Sequence, residues 1–115
     1  MTSLPKKRIA IFGSTGSIGK QALEVIQSNP DLFEVEILTA HSNDEMLVSQ
    51  AIQFSPNAVV ISDESKYEKV KQALVSTTVK VFAGENGLEE VADFDTYDVM
   101  LAGIVGFAEI GRAHV

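Results

Sequence analysis

The chain has 115 residues, no cysteine and a formal net charge of −7, and 45% of its residues are hydrophobic. These values fit one compact domain and exclude a disordered chain, disulfide bonds and thiolate metal sites, while no apolar run reaches the roughly 20 residues of a membrane-spanning helix. The acidic balance argues against nucleic acid as the main partner, since that binding needs Lys and Arg at the phosphates. The lack of cysteine and of a membrane-spanning run fits a cytoplasmic protein, which we expect.

Short apolar runs alternate with amphipathic runs along the chain. The predicted strands cover 8–12, 33–40, 57–62, 79–84 and 97–106, and the predicted helices cover 17–29, 42–55, 63–76 and 86–94. This alternation indicates an α/β fold with a parallel sheet and helices on both faces. We predict a doubly wound, Rossmann-like domain of five strands over residues 1–109. The last strand, apolar almost throughout, is expected at the centre of the sheet.

The spacing of side chains predicts two features of the helices. Ser42 and Glu45 have the spacing of a capping box, so Ser42 is expected to cap the second helix. In the first helix, one face is expected to enter the core. That face consists of Ile18, Ala22, Val25 and Ile26, with Leu23 at its flank.

The stretch GSTGSIG, residues 13–19, follows the first strand and opens the first helix. Gly13 permits a sharp turn, Gly16 permits a pyrophosphate to approach the backbone, and Gly19 permits close packing of helix on sheet. A glycine-rich turn in this strand-to-helix context predicts a phosphate site of the dinucleotide-binding type. No lysine follows in the Walker register, which argues against a nucleoside triphosphatase.

The first helix begins with backbone N–H groups that have no partner within the helix, and its dipole favours an anion there. The N–H groups assigned to the phosphate belong to Thr15, Gly16, Ser17 and Ile18. The alternative is that a serine or threonine hydroxyl caps the helix and that nothing binds.

The second predicted strand ends in LTAHSND, where an NAD-binding domain usually presents an acidic residue to the ribose 2′-hydroxyl. Here His41, Ser42 and Asn43 come first, and none of them is acidic. An acid would repel a 2′-phosphate, whereas Ser42, Asn43 and a helix start accommodate one. This favours NADP over NAD, although His41 is also explained as an ordinary surface histidine.

The end of the fifth strand is rich in small residues. Ala102, Gly103 and Gly106 permit a cofactor ring to lie against the backbone, and close packing of strand and helix explains them equally well. The chain offers no metal-ligand cluster and no catalytic acid–base pair, so no catalytic or metal residue is assigned.

The last residues, IGRAHV at 110–115, lack the helical pattern expected after a fifth strand. They match the translation of a common sequencing adapter that is followed in frame by a stop codon. We therefore expect residues 110–115 to be a non-native tail and the domain to be truncated after the fifth strand. The alternative is a genuine short tail.

Three stretches, RIAIFGSTGSIGKQALEVIQSNPDLFEVEILTAHSN, FSPNAVVISDE and YDVMLAGIVGFA, resemble the N-terminal NADPH-binding domain of the 1-deoxy-D-xylulose 5-phosphate reductoisomerase family. The resemblance covers roughly residues 6–108. It implies a homodimeric cytoplasmic enzyme of non-mevalonate isoprenoid biosynthesis. That enzyme isomerises and reduces a phosphorylated small molecule, 1-deoxy-D-xylulose 5-phosphate, to 2-C-methyl-D-erythritol 4-phosphate, using NADPH and Mg²⁺ or Mn²⁺.

The resemblance also implies roles for particular residues. Residues that match Thr15, Gly16, Ser17 and Ile18 bind NADPH in the family, and those that match His41, Ser42 and Asn43 lie by its adenosine end. Some relatives have glycine and lysine where this chain has His41 and Ser42. The family's metal ligands and substrate-phosphate site lie beyond Val115, so the chain alone is expected to be inactive.

Two other classes of protein remain open from the sequence. One is another NADP-dependent reductase, similar to dihydrodipicolinate reductase or to a semialdehyde dehydrogenase. The other is a non-enzymatic regulatory domain that binds a nucleotide or coenzyme A. The sequence downstream would decide between the reductases, and a preference for NADH or coenzyme A over NADPH would count against the reductoisomerase interpretation.

Overall fold

The computed structural model describes residues 5–102. Its strands are β1 (Lys7–Phe12), β2 (Phe33–Ala40), β3 (Ala58–Ile61), β4 (Lys80–Ala83) and β5 (Val99–Ala102). Its helices are α1 (Ser17–Ser28), α2 (Asp44–Phe54), α3 (Tyr67–Ala73) and α4 (Gly84–Ala92), with a 3₁₀ helix (Glu64–Lys66) before α3. No helix within this range is long and apolar enough to cross a membrane.

The five strands form one parallel sheet in the order β4-β3-β2-β1-β5. The chain runs outward from β1 to β4 and then crosses to the other side of β1. This order confirms the predicted doubly wound α/β fold. It contradicts the prediction that the fifth strand is central, because β5 pairs only with β1 in the part of the sheet formed by residues 5–102. An apolar sequence indicates that both faces of a strand are buried, but it does not indicate where the strand lies in the order of the sheet.

Helices cover both faces of the sheet. On one face, α1, α2 and α3 share a hydrophobic cluster with Ile9 and Ile11 of β1, and α3 lies over β4. Its buried helical residues include Leu23, Leu47 and Val70. On the other face, α4 packs on β3 and β4, and its Val91 and Ala92 join a second cluster that includes Ala10 and Phe12 of β1. Two helix layers on opposite faces follow from right-handed crossovers that run first in one direction and then in the other.

The predicted core face of α1 is only partly correct. Ile26 is buried and Ala22 half-buried, but Ile18 is 60% exposed and Val25 is 55% exposed. Leu23 is buried in their place. The helix is rotated about its axis relative to the prediction because Gly19 packs directly on the loop that follows β1, as described below, which turns Ile18 away from the core.

The cap of α2 also differs from the prediction. The N-cap is Asn43, whose Oδ1 accepts a hydrogen bond from the backbone N–H of Met46 at 3.2 Å. Ser42 lies one residue too early for this role. Its carbonyl instead accepts the N–H of Asp44 at 2.9 Å.

Two further predictions concern residues outside the described range. These are the approach of a cofactor ring to Gly103 and Gly106, and the assignment of residues 110–115 as a tail. Both stay predictions.

The two candidate caps are separable by mutation. Asn43→Ala is expected to lower the free energy of unfolding by about 1 kcal/mol, because it removes the side-chain acceptor at the start of α2. Ser42→Ala is the matched control and is expected to change it by less than about 0.5 kcal/mol, as an exposed substitution away from a cap does. Urea unfolding followed by circular dichroism measures both, and equal effects would restore Ser42 as the cap.

Candidate functional site

The candidate site lies at the carboxyl edge of the sheet, where the loop of residues 13–16 joins β1 to α1. β1 stands at the point where the strand order reverses, between β2 and β5. In open α/β sheets, the crevice at this switch point is where ligands bind. The topology therefore puts the glycine-rich stretch where the sequence prediction requires it.

The conformation and packing of the backbone require glycine at positions 13 and 19. Gly13 has a φ of +91°, a region that side chains with a Cβ rarely adopt. A Cβ at Gly19 would lie 2.6 Å from the Cα of Ser14 and closer still to the carbonyl oxygen of Gly13. The turn predicted for Gly13 and the close packing predicted for Gly19 are both confirmed.

Gly16 differs from the other two glycines because it is exposed. A Cβ there would meet only the carbonyl oxygen of Gly13, at an ordinary contact distance of 3.6 Å. Packing within residues 5–102 therefore does not demand a glycine at this position. As far as residues 5–102 are concerned, the space beside Gly16 is open, as it must be if a phosphate is to approach the backbone.

The start of α1 has no side-chain cap. Gly16 is its N-cap, in an extended conformation, and no hydroxyl of the neighbouring residues bonds to the helix start. The alternative in which a serine or threonine merely caps the helix is therefore wrong. Within the described range, no acceptor is paired with the N–H groups of Ser17 and Ile18, both of which are exposed, while Thr15 is half-buried. These N–H groups and the helix dipole fit an anionic group.

A buried hydrogen-bond network holds the loop from behind. The N–H groups of Gly13 and Ser14 donate to the carbonyl of Thr39 at 3.1 and 2.8 Å, and Gly13 N–H also donates to Thr39 Oγ1 at 3.0 Å. Ser14 Oγ donates to Gln50 Oε1 at 2.7 Å, and Gln50 Nε2 donates back to the Ser14 carbonyl at 3.0 Å. Ser14 is fully buried and Gln50 is 8% exposed.

Sequence reasoning missed Thr39 and Gln50 as residues of the site. A signal for Gln50 was present, because it falls on the same face of α2 as the buried residues Leu47 and Ala51. A polar side chain at such a position needs a hydrogen-bond partner. The sequence does not say where that partner lies.

The second part of the candidate site is the turn after β2. His41, Ser42 and Asn43 are all exposed. The carbonyl of His41 accepts the N–H of Asp63 at 2.7 Å, which ties this turn to the segment that follows β3. The Thr39 contacts therefore bring both predicted groups of residues, 13–18 and 41–43, to the same edge of the sheet.

Asp44, directly after this turn, is paired with two lysines. Lys66 Nζ lies 3.7 Å from Oδ1 and Lys69 Nζ lies 3.5 Å from Oδ2, while the Asp44 side chain is 12% exposed. Burial acts to raise the pKa of Asp44, but its own backbone N–H and the two lysines outweigh that effect. The pKa of this carboxyl is therefore below its ordinary value, and the group is ionised at neutral pH.

Among residues 5–102, no group of three or more His, Asp or Glu side chains is arranged to hold a metal ion. We assign no catalytic residue within the described part of the chain. The arrangement offers hydrogen-bond donors for an anion, so the described residues are suited to binding and not to catalysis.

The sequence and the fold were compared with those of known proteins. The family model for 1-deoxy-D-xylulose 5-phosphate reductoisomerase matches residues 9–113. The enzyme of that name from Phocaeicola vulgatus is 52% identical over 103 residues, which are 90% of this chain and 27% of that protein. The chain thus spans about a quarter of the length of such relatives. The match favours the reductoisomerase family over the other reductases and the regulatory domain that the sequence left open.

Two solved structures of such enzymes share the fold. The Zymomonas mobilis enzyme in complex with NADPH superposes with a TM-score of 0.82 at 34% identity, over 87% of this chain and 26% of that one. A reductoisomerase in complex with magnesium superposes with a TM-score of 0.82 at 30% identity, over 90% of this chain and 26% of that one.

The contrast between Gly19 and Gly16 is measurable. Gly19→Ala is expected to lower the free energy of unfolding by about 1–3 kcal/mol, since its Cβ overlaps backbone atoms that cannot move aside. Gly16→Ala is expected to change it by less than about 0.5 kcal/mol, because its Cβ enters open space. Urea unfolding of both variants tests this, and a larger loss for Gly16→Ala would contradict the geometry.

Gln50→Glu tests the buried network through pH. The carboxylate cannot donate to the Ser14 carbonyl, whereas the protonated acid can, so the folded state is expected to raise the pKa of this group above its unfolded value. A raised folded pKa means that stability is retained below the unfolded value of about 4.3 and lost as pH rises through the folded value.

We therefore expect Gln50→Glu to approach the parent stability near pH 4.5 and to fall about 1–3 kcal/mol below it at pH 7.5. Gln53→Glu, exposed on the same helix, is the control and is expected to show no such difference. Urea unfolding at the two pH values makes the comparison. A loss that does not depend on pH would argue that Gln50 fills space without donating.

Proposed function

The chain belongs to the 1-deoxy-D-xylulose 5-phosphate reductoisomerase family, and we propose that it binds NADPH. Its part in the enzyme is to hold the pyrophosphate and adenosine of the cofactor. The residues proposed for cofactor binding are Gly13, Thr15, Gly16, Ser17, Ile18, His41, Ser42 and Asn43. The family match supports the identity of the cofactor, and the geometry of the loop supports the residues.

The observation that carries this proposal is the uncapped start of α1. The N–H groups of Ser17 and Ile18 are exposed and have no acceptor among residues 5–102, and such a helix start is favourable next to an anion. Gly16 leaves open space at the same place. In the proposed complex the backbone donates to the pyrophosphate, while the network behind Gly13 and Ser14 holds the loop in position.

The acid-free turn supports NADPH over NADH. His41, Ser42 and Asn43 are exposed at the end of β2 and carry no negative charge of their own. The ribose 2′-phosphate of NADPH is proposed to lie against this turn. When bound, the cofactor supplies a hydride to the reaction. The described residues supply its binding and orientation.

For the complete enzyme we propose the reaction of the family, in which 1-deoxy-D-xylulose 5-phosphate is isomerised and reduced to 2-C-methyl-D-erythritol 4-phosphate in isoprenoid biosynthesis. A homodimer, a cytoplasmic location and a requirement for Mg²⁺ or Mn²⁺ belong to the same proposal, with no nucleic acid or membrane partner. Residues 5–102 offer no cluster that fits the metal, so no step of the chemistry is assigned to them. The chain alone is proposed to bind cofactor without turnover.

Titration of the 115-residue chain with NADPH, followed by the fluorescence of the cofactor, tests the binding. Gly16→Ala is expected to raise the Kd about tenfold, because its Cβ displaces the pyrophosphate from the N–H groups and costs about one charge-assisted hydrogen bond. Gln27→Ala, exposed in the last turn of α1, is the control and should leave the Kd unchanged. Tighter binding of NADH or coenzyme A than of NADPH would overturn the proposal.

A further inference from the structure

Two lysines stand beside the turn after β2. The segment after β3 bonds to that turn through the N–H of Asp63, which donates to the His41 carbonyl at 2.7 Å. The N–H of Lys66 donates in turn to the Asp63 carbonyl at 2.9 Å, so Lys66 belongs to the same bonded unit. Lys69 follows one turn later, and both ammonium groups converge on Asp44.

The ion pairs with Asp44 are long. Charge-assisted N–H···O bonds are about 2.7–2.9 Å, whereas these two N–O distances are 3.7 and 3.5 Å. Asp44 therefore holds the lysines nearby through charge without occupying all of their donors, since each ammonium has three. One carboxylate with two ammonium groups gives this cluster of three side chains a charge of +1, in a chain whose net charge is −7.

The turn itself, residues 41–43, contains no lysine or arginine. Asn43 already uses its Oδ1 as the cap of α2, which leaves only its amide N–H groups as donors. Several carboxylates lie on the same two segments and would repel a phosphate dianion. They are Asp44, Glu45, Asp63 and Glu64. A 2′-phosphate at this turn therefore needs the lysines to offset them.

We propose that Lys66, assisted by Lys69, binds the 2′-phosphate of NADPH and so sets the preference for NADPH over NADH. The inference rests on the proposed function, because it concerns the same cofactor. Lys66 is the main contact, since its side chain is only 34% exposed and its Nζ lies 3.7 Å from Asp44, the residue after the turn, while the side chain of Lys69 is 66% exposed. Asp44 is a positioning residue that keeps both ammonium groups near the turn.

A purely structural role for these ion pairs makes a different prediction. Surface salt bridges contribute little to stability, and their loss would change the binding of NADPH and NADH equally. A contact with the 2′-phosphate affects NADPH alone, because NADH lacks that group. The ratio of the two dissociation constants therefore separates the two roles.

The experiment titrates the chain with NADPH and with NADH by cofactor fluorescence. Lys66→Met is expected to raise the Kd of NADPH about tenfold, the loss of one charge-assisted contact, with less than a twofold change for NADH. The double variant Lys66→Met/Lys69→Met is expected to lose more, and Lys66→Arg to retain the preference. Lys71→Met is the matched control, since Lys71 lies on α3 with Lys69 but has its Nζ 5.5 Å from the Tyr67 ring centroid.

The outcomes are distinct. An unchanged NADPH-to-NADH ratio in the double variant would overturn the role of the lysines while leaving the proposed function in place. An equal loss in Lys66→Met and Lys71→Met would do the same, because it would report only net charge. Failure of the parent chain to bind either nucleotide would overturn the proposed function itself. Thermal unfolding without cofactor checks that each variant is folded.

Discussion

The hydrogen bonds that join Gly13 and Ser14 with Thr39 and Gln50 are the constraint on which the candidate site depends. Four of the five involve backbone groups of the loop, so they define its path and not merely the position of one side chain. Because Ser14 is fully buried, any displacement of the loop would leave polar groups unpaired in the core. The loop is thus held by β2 and α2, and these contacts fix the position at which α1 begins.

That support explains why the start of α1 remains open. With the loop anchored from behind, no hydroxyl of Ser14, Thr15 or Ser17 has to turn back to cap the helix. Ser17 and Ile18 are exposed, and their N–H groups have no internal acceptor among residues 5–102. A stable fold with uncapped donors at the topological switch point is an arrangement that suits an anionic ligand.

The charges close to a bound phosphate matter more than the net charge of the chain. The whole chain is acidic, yet the two proposed phosphate contacts use groups that are positive over a few ångströms. One is a helix start, and the other is a lysine pair gathered by Asp44. Since screening in physiological salt limits the reach of exposed charges to about 8 Å, these local groups matter more to a bound phosphate than the net charge does.

The order of the elements was predictable from the sequence because alternation of strands and helices appears in short windows of residues. Gly13 and Gly19 were predictable for the same reason, since a sharp turn and a close helix contact are properties of one strand-to-helix connection. The cap at Asn43 was missed by one residue, because Ser42 and Asn43 both suit that position and only the entry angle of the chain distinguishes them. The buried side of α1 was missed because packing on the loop sets its rotation.

The sequence by itself determined the fold class, the glycine-rich turn and the acid-free end of β2, since each is encoded within a few neighbouring residues. Only the tertiary structure decided that Thr39 and Gln50 hold the loop, across 26 and 36 positions of the chain. It alone brought Lys66 and Lys69 to Asp44. The physical reason is that partners so far apart meet only through the order of the strands and the packing of α2 and α3, which no local pattern specifies.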